Sequence, residues 1–249
     1  MSGPGGPPST LDALVAQRSE AERAAWWRWS GLALLGAVLV IAVVAGISAI
    51  ASPSKNVRGV MSLVGESLIG VVTFWCGARA AGGLQRFVRE VGLTWLRGAD
   101  LIRWLKGIGM QILALLAYTI VISAISPHAA HNASNTTGLR HAPTFALVFV
   151  GIGAVLIAPI VEEVQFRGLI LQAGTGRFRF ELYALGTSLA FGLLHAPQIH
   201  TLIGALVLVG HLTIFGFVQC LLVRPTGRLG GNVLVHATSN LVAVLIAAH

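Results

Sequence analysis

The sequence predicts an all-α fold, a polytopic membrane helix bundle of about seven transmembrane helices plus interfacial helices. Three observations lead there. The 249 residues are 55% hydrophobic and only 10% charged, against about 25% charged in a soluble domain. The mean hydropathy of +0.79 comes from apolar runs of about 20 residues, the length that crosses hydrocarbon as a helix. Most Lys and Arg residues fall between those runs, where topology determinants sit. The net charge of +8 is therefore no nucleic-acid signal; it suits contact with anionic membrane lipids.

Residues 1–25 read as a Pro/Gly-rich, then polar, disordered tail leading into a short amphipathic helix. No apolar core begins before Trp26, so this is no signal peptide. Residues 26–142 read as N-terminal membrane helices with an interfacial segment. The first span is expected at about 30–50, with Trp26, Trp27 and Trp29 as interfacial anchors, and the second at about 57–80. A basic stretch at 86–106 mixes Phe87, Leu93, Trp95 and Trp104 with Arg86, Arg89, Arg97 and Arg103, which suits helices lying in the interface. The third span is expected at about 108–126. The following polar loop carries sequons at Asn132 and Asn135, and His128, His131 and His141, whose spacing is not that of a defined metal site.

Residues 143–249 read as four further helices. The first, at about 144–174, is too long for one plain crossing and is either tilted or broken near Pro159. The others are expected at about 182–196, 202–223 and 232–248. Cys76 and Cys220 fall within spans and read as small buried side chains. With the N-terminus inside, only Lys55, Arg58 and Arg140 lie outside, against 14 of the 17 Lys and Arg inside. The positive-inside rule then gives a multi-pass protein with a cytoplasmic N-terminus and an outside C-terminus. A bacterial plasma membrane is the expected location.

Three motifs place ionisable groups inside this apolar pattern: Glu162-Glu163-Val164-Gln165-Phe166-Arg167, Phe191-Gly192-Leu193-Leu194-His195, and His236-Ala237-Thr238-Ser239-Asn240. Such groups are costly in hydrocarbon, and their default reading is functional. Residues four apart share a helix face, so Glu163 and Arg167 can form a buried ion pair. Glu162, turned about 100° from Glu163, is left for chemistry. In a low-dielectric cavity its carboxylate becomes a better proton acceptor for water. A neutral histidine can polarise water or ligate a metal, and Asn240 offers an amide N–H toward a developing oxyanion. The blander reading is a solvated salt-bridge face, a helix-end histidine and a structural His–Asn pair. Glu66 reads as a structural group facing the bundle, and His211 as an interhelical hydrogen-bonding residue.

With these motifs the chain resembles the CPBP intramembrane proteases, which include the type II CAAX prenyl endopeptidases and the bacteriocin-processing "Abi" proteins. The resemblance rests on Glu-Glu-x-x-x-Arg, Phe-x-x-x-His and His-x-x-x-Asn, supported by Ala158-Pro159-Ile160-Val161 and Gly168, and covers about 143 to the C-terminus. It implies that 143–249 is a catalytic four-helix core whose cavity opens toward the inner leaflet. Glu162 and His195 would activate water, His236 and Asn240 would bind the oxyanion or scissile carbonyl, and Glu163 and Arg167, with Phe191, would position them. The substrate would be a membrane-associated peptide or lipidated protein. No cofactor is favoured; the alternative is zinc held by Glu162, His195 and His236, with an open position for water. A His-Glu-x-x-His pair, more usual for zinc, is absent. Two other functions compete: a non-catalytic immunity or scaffold protein of the same fold, and a proton-coupled transporter using Glu66, Glu162 and the histidines. The lack of an obvious internal repeat counts against the transporter.

Overall fold

The computed structural model describes residues 10–93, 96–126, 143–199 and 201–248. Residues 1–9, Trp95, the sequon loop with His128, His131 and His141, His200 and His249 lie outside the described residues. Among the described residues these helices follow in order: α1 (Leu11–Ala16), α2 (Glu20–Ala51), α3 (Lys55–Ala81), α4 (Leu84–Glu90), α5 (Gly98–Ile125), α6 (Thr144–Gly174), α7 (Phe180–His195), α8 (Leu202–Val223) and α9 (Gly230–Ala248). Among the described residues there is no strand, only an isolated bridge between Thr175 and Phe178.

Among the described residues six helices are long and apolar enough to cross a membrane: α2, α3, α5, α6, α8 and α9. The remaining expected span, at about 182–196, corresponds to α7, which has only 16 residues, about 24 Å at 1.5 Å per residue. It packs along α8, while α2 pairs with α3 and α9 lies against α5 and α6. Side chains such as Leu39, Val43, Leu113, Leu156 and Leu206 point outward, as hydrocarbon-facing residues do.

Helix starts follow from local chemistry. Ser19 caps α2 in a reciprocal box with Glu22, Ser54 caps α3, and Thr201 caps α8. Helix α5 begins earlier than expected, so 98–106 is not a separate interfacial helix. Asp100 accepts from the Arg97 N–H at 2.8 Å and clasps Arg103 and Arg228, anchoring the first turn. Trp104, expected in the interface, donates to Thr238 at 3.0 Å and ties α5 to α9. Only α4 is a separate short helix in that stretch.

The expected polar tail is also partly built. Leu11 and Val15 are buried, and the Leu11 N–H donates to the Arg224 carbonyl at 3.0 Å. Trp26 is not an anchor at the interface but lies in the core, with Phe87 at 5.9 Å and the Arg18 guanidinium 3.5 Å over its ring. Arg18 also reaches Glu90 at 3.1 Å. Burial pulls the Arg18 guanidinium down to about 10 against the attraction of Glu90, so it remains a cation at neutral pH. Thus α1, α4 and the first turn of α2 close the Arg-rich end of the bundle.

Phe87 reaches this core because α3 presents Gly77. A Cβ there would meet the ring at 2.2 Å. Gly77→Ala is therefore expected to cost about 1–3 kcal/mol through overpacking, read as a lowered thermal midpoint in detergent.

Helix α6 neither breaks nor kinks apart at Pro159. It holds two π-helical stretches, Ile152–Ile157 and Val164–Ile170. The wider turn before Pro159 accommodates a residue without an N–H, and such bulges cluster at functional sites. The turn between the two stretches carries Glu162 and Glu163. Cys76 and Cys220 are buried and unbridged, as expected.

Candidate active site

The buried anchor of the site is Glu163, which is fully inaccessible. Its Oε1 accepts from Arg167 Nη1 at 3.0 Å, one turn along α6, and from His236 Nδ1 at 2.9 Å, across on α9. Asn232, one turn before His236, donates to the Gln219 carbonyl at 2.7 Å, and Gln219 donates back to the Asn232 carbonyl at 3.1 Å. This amide exchange joins α8 to α9 behind the histidine. The Arg167 guanidinium lies 5.0 Å over the Phe191 ring, a cation–π contact. Gly216 on α8 leaves room for it, since a Cβ there would stand 2.9 Å from Arg167 Nη2.

Glu162 points the other way. Its Oε1 is 3.6 Å from His195 Nε2 and its Oε2 is 3.4 Å from His236 Nε2. Hydrogen-bond partners settle the tautomers. His195 Nδ1 faces the Phe191 carbonyl at 2.9 Å, an obligate acceptor, so Nδ1 carries the proton. His236 Nδ1 likewise faces the Glu163 carboxylate. When neutral, each ring turns an Nε2 lone pair toward Glu162. In that form three acceptors converge, and the spacings are too long for direct hydrogen bonds. A water set to one side, donating to two of the three, satisfies this geometry. The carboxylate is thus not simply desolvated, because two imidazoles flank it.

A cavity of about 390 Å³ opens on this group, lined by Glu66, Glu162, Phe191, His195, His236 and Asn240 among others. A second cavity of about 290 Å³ lies between α2, α3 and the end of α7, with largely apolar walls such as Val40, Ile41 and Ile69. The two share Ser62, Glu66, Glu162, His195 and Gln198 as common walls. The sequence candidates Glu162, Phe191, His195, His236 and Asn240 therefore meet at one cavity. Glu163 and Arg167 are buried behind it rather than among its lining residues.

Asn240 has a second task. Its Nδ2 donates to the Ala154 carbonyl at 2.7 Å. In the π-helical register the Ala158 N–H bonds to Gly153, so the next carbonyl, Ala154, would look to residue 159, which is proline. Asn240 fills that vacancy with one N–H and keeps the other. His211 is not among the cavity-lining residues; it stacks on Tyr118 at 6.4 Å, and Tyr118 donates to the Val207 carbonyl. Sequence reasoning passed over Asn232 and Gln219. A signal existed for Asn232, four residues before His236 on the same face, and none for Gln219 beyond its polarity within a span.

Glu162, His195 and His236 have the donor types of a catalytic zinc centre, with both imidazoles anchored through Nδ1 as zinc-binding histidines are. As placed here they do not close on an ion: among the described residues no group of three or more His, Cys, Asp or Glu side chains could hold a metal.

The segment that builds this site, residues 144–242, matches the family model "Type II CAAX prenyl endopeptidase Rce1-like". The similarity is to this segment alone. The matched segment runs from the start of α6 into α9 and contains every motif residue from Glu162 to Asn240. The CPBP resemblance is thereby supported for this segment, and with six helices long and apolar enough to cross a membrane among the described residues the chain is an integral membrane protein. Comparison with curated proteins and with solved structures gives no match. The helices before the matched segment contribute Ser62 and Glu66 to its cavity.

Proposed function

We propose that this protein is an intramembrane endopeptidase that hydrolyses a peptide bond of a membrane-anchored peptide or lipidated protein, with water activated by Glu162 and no metal. The observation that carries the reading is the Glu162 carboxylate set 3.6 and 3.4 Å from two inward-facing Nε2 atoms at the wall of a cavity of about 390 Å³. A water there donates one hydrogen to Glu162 and the other to His195 Nε2. That leaves an oxygen lone pair for the scissile carbonyl. As the C–O bond forms, Glu162 takes the water's proton.

The free N–H of Asn240 is available to the carbonyl oxygen as it gains charge. His236, held by Glu163, offers a lone pair and not a proton in its neutral form. In that form we assign it to holding the water and Glu162. Glu163 and Arg167 position His236. The Arg-rich end faces the cytosol in this reading, and substrates come from the membrane, where the apolar cavity adjoins the polar one across shared walls.

The test is cleavage, in detergent, of a library of membrane-anchored peptides by wild type and by Glu162→Ala, with and without a strong chelator. Wild type is expected to cleave equally in both conditions and the variant in neither. Loss of wild-type cleavage on chelation would replace this mechanism by the zinc alternative. Absence of any wild-type cleavage would favour the scaffold reading.

A further inference from the structure

Glu66 on α3 is the one carboxylate of the two-cavity system that the mechanism above leaves idle. It lies outside the segment matched to the protease family. Ser62 and Glu66, one turn apart on α3, wall both cavities together with Glu162 and His195. Glu162 and His195 are the charged and titratable groups that act electrostatically on Glu66. No ion pair or hydrogen bond joins Glu66 to Glu162 among the described residues, so the two carboxylates face the same space with a gap between them. A half-buried carboxylate within an apolar span is costly unless the site uses it. Two carboxylates in one low-dielectric hollow do not readily ionise together, so one proton is kept between them.

Amide hydrolysis has a need that Glu162 meets only in part. Water must lose a proton to the base, and the leaving nitrogen must gain one before the C–N bond breaks, because an amide anion does not leave. The base stands beside two imidazoles on α7 and α9. Among the described residues, the α3 wall carries the other carboxylic acid that lines both cavities, Glu66.

Resting on the protease reading, we propose that Glu66 is a catalytic residue, the general acid that protonates the leaving amine. Neutral Glu66 gives its proton to the nitrogen of the tetrahedral intermediate as the C–N bond breaks and the carbonyl re-forms. Glu162, which has taken the proton of the attacking water, then returns it to Glu66 across the cavity. The products are one new carboxyl group and one new amine, and both glutamates end as they began.

The test compares two substrates that share an acyl half: a membrane-anchored peptide and its p-nitrophenyl ester, whose leaving phenolate needs no proton. For Glu66→Gln, kcat on the peptide is expected to fall about 100-fold with KM within about threefold, the scale of general-acid catalysis. On the ester the loss is expected to stay below about threefold. Glu66→Asp should recover part of the peptide rate and Glu66→Ala none. An equal loss on both substrates, or no loss on the peptide, would overturn the assignment even if Glu66→Gln were less stable, because a folding defect lowers both rates together. Full retention of both activities by Glu162→Gln in the same assay would instead bring down the protease reading itself.

Discussion

A Glu162→Gln protein is expected to fold as wild type does and to lose about three orders of magnitude in kcat, with KM changed by less than about threefold. The amide has the size and polarity of the carboxylate but cannot take a proton from water. Nothing structural depends on the charge. The Glu162 contacts are the 3.6 and 3.4 Å approaches to the two Nε2 atoms, and neither histidine relies on it for orientation, since Nδ1 of His195 is held by Phe191 and Nδ1 of His236 by Glu163. Substrate binding draws on the cavity walls, which the substitution leaves in place. A thermal midpoint measured beside the kinetics separates the two effects. A large drop in KM, or full activity, would contradict the assignment of Glu162 as base.

Arg167→Met is expected to have the largest effect on stability, about 3–5 kcal/mol, the scale for breaking a buried pair from one side. It leaves Glu163 fully buried, with only the His236 Nδ1–H at 2.9 Å and a long Asn232 contact at 3.5 Å to compensate its charge. Without the guanidinium the carboxylate loses the partner that fixes it against His236 Nδ1, so the ring is less firmly placed beside Glu162 and activity falls with stability. Glu163→Gln leaves the guanidinium unpaired and carries a similar cost. The double variant, Glu163→Gln with Arg167→Met, removes both charges. It should lose less than the two single losses combined while remaining nearly inactive, because the amide no longer selects the His236 tautomer. Denaturation of all three variants in one detergent gives the cycle. Additive losses would show that the two residues do not act as a pair.

The parts of this site that sequence reveals are those governed by helical periodicity. Glu163 and Arg167 are four apart and do pair, at 3.0 Å; Glu162 is one residue out of phase and does face the cavity. Phe191 and His195, and His236 and Asn240, share faces for the same reason. What periodicity cannot supply is the register between helices. The acceptance of an Asn240 N–H by Ala154 depends on a π-helical turn whose next N–H is missing at Pro159, a detail with no compositional mark. Glu66 belongs to the cavity only because α3 packs against α6, and apolar runs do not state which helices are neighbours. Trp26 has the composition of an interfacial anchor, yet Arg18 and Phe87 enclose it, because a short polar helix covers the end of the bundle. Helix α7 reads as a span from its hydropathy but is short, since Arg179 precedes it and the Ala196–Gln198 turn ends it at the cavity mouth.

The measurement that bears most directly on the central claim is an experimental structure of the wild-type protein fine enough to place ordered water. The account predicts a single water within about 3 Å of both the Glu162 carboxylate and His195 Nε2, with His236 Nε2 turned to the same point. A metal ion held about 2.0–2.1 Å from both Nε2 atoms, or Glu162 turned away from the two imidazoles, would contradict it.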